Sequence, residues 1–226
     1  RLFRKPLDLP RAADLERELA AVSRTLGPAR DLDVWIEQWQ WAMRKAVPGD
    51  RACQEYTARL DRLKDRQREV VRRTVRSRAY VRLCARLRAF LRTGLGRKAN
   101  RGRKDALSRF ARKRLARSIR RMERHAHALL GCSSEALHAY RKAVRRARYV
   151  AEFLGPALPA WGRKAAQALN RMSTELGLIH DIDVGLDRLT PEFPACPDRT
   201  RRCLAARRDD GVTRLRKARR WRPPKG

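Results

Sequence analysis

Residues Glu135–Leu154 read EALHAYRKAVRRARYVAEFL, and this stretch decides the fold class. On a helical wheel at about 100° per residue, its apolar side chains occupy one half and its basic side chains the other. The apolar half contains Leu137, Tyr140, Ala143, Val144, Ala147, Val150, Ala151 and Leu154. The basic half contains His138, Arg141, Lys142, Arg145, Arg146, Arg148 and Tyr149. Because such a helix must bury its apolar half while its like charges repel one another, the stretch predicts a helical bundle whose basic face meets a polyanion.

The composition predicts a folded protein with an anionic partner. The chain has 226 residues, of which 42% are hydrophobic, and its formal net charge is +33. The hydrophobic fraction predicts real cores in one large or two small domains, and the charge predicts a partner of opposite sign. Arginine and lysine alternate with leucine, alanine and valine at helical spacing, which argues against a disordered basic tail. Arginine dominates the richest segments and favours multidentate contacts with phosphate oxygens.

Cysteine usage and hydropathy bear on the cellular compartment. The five cysteines are scattered without a C-x-x-C pair, which argues against a disulfide framework or a zinc ribbon and fits a reducing cytosol. The sequence has no apolar run of about 18 residues, the length that a membrane-spanning helix requires. Its N-terminus does not resemble a signal peptide. We therefore expect a cytoplasmic protein that does not enter a membrane.

Apolar periodicity predicts a succession of helices, and strand signals are nearly absent, so the expected class is all-α. Gly27 is expected to end one helix and Asp31 to cap the next. The same logic places a helix end at Gly177 and a short new helix after Asp181. Residues 94–105 are expected to form a basic, mobile loop. The predicted helical stretches are 12–26, 32–47, 51–92 (as one helix or two), 107–130, 135–154, 159–176 and 198–221, and residues 1–5 resemble the tail of another helix.

The chain also matches itself at an offset of 150 residues, which is the signature of an internal repeat. The matched positions include Phe3 with Phe153, Pro6 with Pro156, Leu19 with Leu169, Cys53 with Cys203, and RDLDV at 30–34 with HDIDV at 180–184. A register that holds without gaps over so many positions predicts a tandem duplication.

The register also defines the two predicted repeats, which span residues 1–130 and 131–226. In this register the counterpart of the 135–154 helix ends near Phe3. Most of the opening helix of the first repeat is therefore expected to precede residue 1.

The motif L-H-x-x-R-x-x-x-R-R-x-R-Y at 137–149, with the two Leu-Gly…Asp-x-Asp-Val segments at 26–34 and 176–184, resembles the CHAD family (conserved histidine α-helical domain). The resemblance covers nearly the whole chain. It implies two pseudo-symmetric four-helix bundles that together form one CHAD domain, with basic faces lining a central cleft or pore. Members of the family look like non-catalytic binding modules for inorganic polyphosphate, some of them associated with polyphosphate granules. The chain departs from the family pattern in its missing first-copy histidine helix and in having His180 where the first copy has Arg30.

The resemblance and the basic stripes nominate the residues that contact polyphosphate. A row of arginines suits a polymer with about one negative charge per phosphate, and no bases need be recognised. For His138, a hydrogen bond to phosphate competes with a structural contact between helices, and neighbouring cations should keep the ring neutral. The basic stripe on the 107–130 helix either lines the cleft or is a solvated surface. The candidate residues are Arg4, Lys5, Arg30, Lys113, Arg117, Arg120, Arg124, His138, Arg141, Lys142, Arg145, Arg146, Arg148, Tyr149 and His180.

Other functions have weaker support in the sequence. A general nucleic-acid binder is the main alternative and rests on net charge alone, and an accessory domain that delivers polyphosphate to a separate enzyme is also compatible. His125 and His127 are too close on a helix to face one metal ion, and the Asp-x-Asp segments suit capping or pairing with arginine better than magnesium binding. No paired carboxylates, activated nucleophile or glycine-rich phosphate loop is present. We therefore expect no catalysis, cofactor or metal, and we expect phosphate or sulfate to mimic the ligand.

Overall fold

The computed structural model describes residues 10–94, 104–126, 128–131, 133–158 and 160–218. Within these ranges the protein is helical and contains no strand, so the all-α prediction is confirmed. The helices are α1 (Pro10–Ala46), α2 (Arg51–Arg76), α3 (Arg78–Ala89), α4 (Lys104–Glu123), α5 (Ala128–Gly131), α6 (Ser134–Phe153), α7 (Ala160–Glu192) and α8 (Asp198–Ala218). A π-helical turn, Phe90–Gly94, follows α3, and a 3-10 turn, Gly155–Ala157, follows α6. No described helix is long and apolar enough to span a bilayer.

Contacts divide the chain into two compact units, Arg1–Asn100 and Arg101–Gly226. The first unit contains α1, α2 and α3, and the second contains α4 to α8. Helix α4 belongs to the second unit because its buried face packs against α6, whereas the sequence repeats divide the chain after residue 130. The repeat and its two four-helix bundles stay predictions. The expected mobile loop falls largely at residues 95–103, outside the described ranges.

The core of the first unit is built from aromatic side chains of α1 and α2. Trp39 is fully buried, its indole N–H donates to Thr57 Oγ1 at 2.8 Å, and its ring meets Tyr56 edge-on at a centroid distance of 4.9 Å. Trp35 Nε1 donates to the Tyr56 hydroxyl at 3.4 Å. Asp50 caps α2 by accepting from the Cys53 backbone N–H at 2.8 Å. Trp35 and Trp39 are therefore packing residues of this core.

The core of the second unit forms around α6. All eight residues of the predicted apolar half of the 135–154 stretch are buried, with exposed fractions of 7% or less. They pack mainly against α7 and α4, whose own buried positions include Leu169 and Met172 on α7 and Leu115 on α4. The helical-wheel prediction for this stretch is confirmed.

Burial differs between register-equivalent positions of α1 and α7. Leu169 on α7 is fully buried beneath its neighbours, whereas Leu19 on α1 is 42% exposed. Leu176 is 1% exposed, and its equivalent Leu26 is only half-buried. Among the described residues, α7 packs against both α6 and α8, whereas α1 packs against α2 and α3, so the two equivalent helices have different neighbours.

The predicted helix breaks at Gly27 and Gly177 are wrong. Helix α1 runs unbroken through Gly27, Pro28 and Asp31, and α7 runs unbroken through Gly177 and Asp181. Neither aspartate is therefore an N-cap. A glycine inside a helix costs about 1 kcal/mol, which is less than the free energy gained by burying a large apolar side chain, about 1.5–3 kcal/mol. In α7 such side chains continue across Gly177, and they are Leu169, Met172, Leu176, Ile179 and Ile182, each 2% exposed or less.

A pair of glycine substitutions tests the unbroken helix. We expect Gly177→Ala to stabilise the protein by about 0.5–1 kcal/mol, because nothing lies within 4 Å of the added Cβ. Gly49→Ala should instead destabilise by about 1–2 kcal/mol, since Gly49 has a φ angle of 88°. Thermal unfolding followed by circular dichroism measures both effects. Destabilisation by Gly177→Ala would contradict a continuous α7.

Candidate functional site

The candidate site is the basic face of α6. The helix begins at a Ser133 cap, whose hydroxyl accepts from the Ala136 backbone N–H at 3.3 Å, and Glu135 lies in its first turn, where the helix dipole favours a carboxylate. Since seven apolar residues of α6 are buried, the helix cannot rotate about its axis without exposing them. The basic face is therefore held in a fixed orientation on the second unit.

His138 meets His180 of α7 at the start of this face. The two ring centroids lie 4.9 Å apart with an interplanar angle of 34°. Burial lowers the pKa of His138 from its ordinary value, and the positive charges of Lys142 and Arg141 lower it further, so the ring is neutral at pH 7. The His138 Nδ1 atom is buried with no hydrogen-bond partner. A contact between the helices is therefore present as ring against ring, and the phosphate contact stays a prediction.

Arg148 lies at the other end of the face and is held by several neighbours. Its Nη1 donates to Asn170 Oδ1 of α7 at 3.3 Å, and its Nε lies 3.6 Å from Glu152 Oε1. Its guanidinium lies over the Tyr149 ring at 4.8 Å from the centroid, where the ring quadrupole attracts a cation. Arg148 therefore orders this end of the face and is partly neutralised by Glu152.

Three cations between these ends are open to a ligand. Lys142, Arg145 and Arg146 are exposed, and none of them forms an ion pair with a described residue. Arg145 also lies over the Tyr149 ring, with 5.9 Å between its guanidinium carbon and the ring centroid. The three charges lie within about one helical turn of one another, so one extended anion can contact all of them.

The other predicted residues lie elsewhere on the described chain. On α4, Lys113, Arg117 and Arg120 are exposed opposite its buried residues, and Arg124 is exposed in the turn that follows. Arg30 is exposed on α1 of the first unit. Arg141 is half-buried on α6. Arg4 and Lys5 lie outside the described residues.

Sequence reasoning missed two residues of the face, Asn170 and Glu152. The antiparallel hairpin of α6 and α7 pairs residue 138 with 180 and residue 148 with 170, so both pairs sum to 318. In an antiparallel pair of helices, facing positions have residue numbers with a constant sum. Asn170 could therefore have been identified as the residue facing Arg148 once the turn between the helices was known. Glu152 stands one turn after Arg148, which is the spacing of a helical ion pair. Within the described ranges, no group of three or more histidine, cysteine, aspartate or glutamate side chains could hold a metal ion.

Comparison with known proteins identifies a protein family. No curated protein and no solved structure matches the chain. The family model described as "CHAD domain" matches residues 1–190, a range that contains all of α6 and most of α7. Polyphosphate binding is the known general property of this family. Because the match covers most of the 226 residues, the chain belongs to the CHAD domain family.

Proposed function

We propose that the protein binds inorganic polyphosphate on the basic face of α6 and does not act on it chemically. The observation that carries the proposal is the group Lys142, Arg145 and Arg146, which are exposed beside the His138–His180 pair and form no ion pair with any described residue. Phosphate oxygens can replace the water around these cations and relieve their mutual repulsion. The family's general property supports the same ligand. Such binding would also hold the protein on polyphosphate granules.

One observation favours nucleic acid as the alternative ligand. Phe153 is 68% exposed at the end of α6, and its ring lies 6.1 Å from that of Tyr149. Bases of single-stranded nucleic acid stack on such side chains. Tyr149, however, is already engaged by Arg145 and Arg148, which leaves Phe153 alone for stacking. A face with several cations and one open ring suits a ligand that is bound through phosphates.

A displacement titration at near-physiological salt tests the proposal. Labelled long-chain polyphosphate is bound first and then displaced by unlabelled polyphosphate, single-stranded DNA or RNA. We expect polyphosphate to compete at far lower phosphate concentration than either nucleic acid. Equal competition, together with weaker nucleic-acid binding by Phe153→Ala, would assign the face to nucleic acid. Release of free phosphate by the purified protein would contradict the non-catalytic part of the proposal.

The affinity should rise as the pH falls through the pKa that His138 has in the complex. In the free protein the His138 pKa is lowered by burial and by Lys142 and Arg141, whereas a bound phosphate favours the charged ring. Binding therefore takes up a proton, and the gain in affinity is lost again as the pH rises through the pKa of the complex. Calorimetry in buffers of different ionisation enthalpy measures this proton.

Two comparisons control the pH experiment. His138→Gln should bind long-chain polyphosphate with a flatter pH profile than the parent between about pH 5 and 8, since the internal phosphates keep their charge over this range. In the absence of ligand the sign is opposite: a lowered histidine pKa makes the folded protein lose stability as the pH falls. An unchanged pH profile in His138→Gln would show that His138 is not linked to binding.

A further inference from the structure

Residues 70–91 of the first unit concentrate positive charge more strongly than α6 does. The segment comprises the end of α2, all of α3 and the first residues of the π-helical turn. It contains no aspartate or glutamate, and its seven arginines are Arg72, Arg73, Arg76, Arg78, Arg82, Arg86 and Arg88. We call this segment the arginine corner. A solvated helical segment normally mixes charges of both signs, whereas this one has no acidic residue of its own.

The two helices of the arginine corner meet at a well-defined bend. Ser77 ends α2 and begins α3, and its hydroxyl accepts from the Tyr80 backbone N–H at 3.1 Å. The same hydroxyl donates to the Thr74 carbonyl at 2.8 Å. Leu83 of α3 is buried at 3% exposure. The backbone that carries the arginines is therefore held at the bend by the Ser77 hydrogen bonds and by the buried Leu83.

Four of the arginines lack an acidic partner within the described chain. Glu69 neutralises Arg72 and Arg73, with distances of 2.6 and 2.9 Å, and Glu18 pairs with Arg86. The remaining four are exposed and form no ion pair with a described residue, and they are Arg76, Arg78, Arg82 and Arg88. Arg78 and Arg82 are also one turn apart on α3, where like charges repel.

The neighbouring side chains indicate how a ligand would be held. The exposed apolar residues of the arginine corner are aliphatic: Val70, Val75, Val81 and Leu91. Its two aromatic residues, Tyr80 and Phe90, are half-buried. A surface without an open ring gives bases nothing to stack on, so the ligand is held through its charges.

We infer that the arginine corner is a second polyphosphate-binding surface, separate in sequence from α6, which makes the chain bivalent for long polyphosphate. The inference rests on the proposed function of α6. Because both surfaces belong to one chain, a polymer that reaches both binds the second at a high effective concentration. Long chains then bind more tightly than short ones, and protein in excess cross-links the polymer.

The experiment compares tripolyphosphate with long-chain polyphosphate by calorimetry and light scattering. The corner variant is Arg76→Gln/Arg78→Gln/Arg82→Gln/Arg88→Gln, and glutamine maintains the helix well. The charge-matched control replaces four exposed cations of the second unit with glutamine, namely Arg163, Lys164, Arg199 and Arg202. Circular dichroism and the thermal midpoint verify that both variants fold like the parent.

We expect the corner variant to lose affinity for long chains by about ten-fold or more, and to lose cross-linking, while the control changes little. The corner variant should still bind tripolyphosphate, and Lys142→Ala/Arg145→Ala should lose that binding, which assigns it to α6.

If the corner variant matches the control, the second surface is refuted and the function of α6 stands. If the parent binds no polyphosphate, the proposed function fails and the second surface fails with it. Binding to vesicles of anionic lipid that depends on the four arginines, with unchanged polyphosphate binding, would assign the surface to a membrane and overturn the inference.

Discussion

Lys142→Ala/Arg145→Ala/Arg146→Ala is expected to weaken polyphosphate binding on the order of 100-fold at near-physiological salt. The three cations are exposed on α6 and form no ion pair with a described residue, so the substitution removes their charge without breaking an ion pair of the described chain. Each lost contact also releases one counterion fewer on binding, so the slope of log affinity against log salt should become shallower by about two. Fluorescence titration over a range of salt concentrations measures both quantities. Folding should be preserved, because alanine favours helix.

A control triple substitution separates the α6 face from the net charge. Arg163→Ala/Lys164→Ala/Arg199→Ala removes the same charge from exposed positions of α7 and α8 in the same unit. If polyphosphate binds on the α6 face, this control should lose only a few-fold in affinity, because it lowers only the electrostatic potential of the whole protein. Equal losses in the two triple variants would show that the protein attracts polyphosphate as a diffuse cation and that α6 is only a scaffold.

The sequence predicts the helix class and the burial of α6 because a single physical rule governs both. Apolar side chains such as Val144 and Ala147 recur at helical spacing, and a protein of this size must remove them from water. No competing interaction acts at these positions. The helical wheel therefore identifies every buried residue of the 135–154 stretch. The basic face consists of residues on the opposite half.

At Gly177 the prediction from sequence fails because a local rule competes there with tertiary packing. Glycine followed by an Asp-x-Asp pair is typical of a helix end and a new N-cap. That preference is worth about 1 kcal/mol, whereas the apolar stripe of α7 continues on both sides of Gly177 and is buried throughout. The free energy of packing against neighbouring helices does not depend on a short stretch of sequence alone. A capping rule applied to such a stretch therefore cannot include it.

Within the candidate site, the charges were predictable and their pairing was not. The sequence places Arg148 on the basic face, but its contacts with Asn170 and Tyr149 depend on the turn that sets the register of α6 against α7. The same register brings His180 against His138. Sequence thus identifies candidates for binding, and the three-dimensional contacts distinguish cations that order the face from those open to a ligand.

Asp183→Ala is expected to destabilise the second unit by about 2–4 kcal/mol, somewhat less than the cost of breaking a fully buried pair. Asp183 Oδ1 of α7 lies 2.5 Å from Arg208 Nε of α8, and their side chains are only 11% and 18% exposed. The substitution leaves the guanidinium largely buried, and the Asp209 carboxylate, which lies 3.5 Å from it and is 75% exposed, is too open to water to replace Asp183. In a protein of this size the midpoint of thermal unfolding should fall by about 5–12 °C.

The equivalent position of the first unit supplies the matched control. Asp33 Oδ1 lies 3.5 Å from Lys64 Nζ, with side chains 48% and 29% exposed, and water screens such a pair. Asp33→Ala should therefore cost about 1 kcal/mol or less. Asp183→Leu/Arg208→Met should recover most of the loss, because replacing both charges with apolar side chains leaves no buried ion behind. Equal costs for the two alanine variants, or no recovery in the double variant, would mean that the Asp183–Arg208 pair does not hold α7 and α8 together and that burial alone does so.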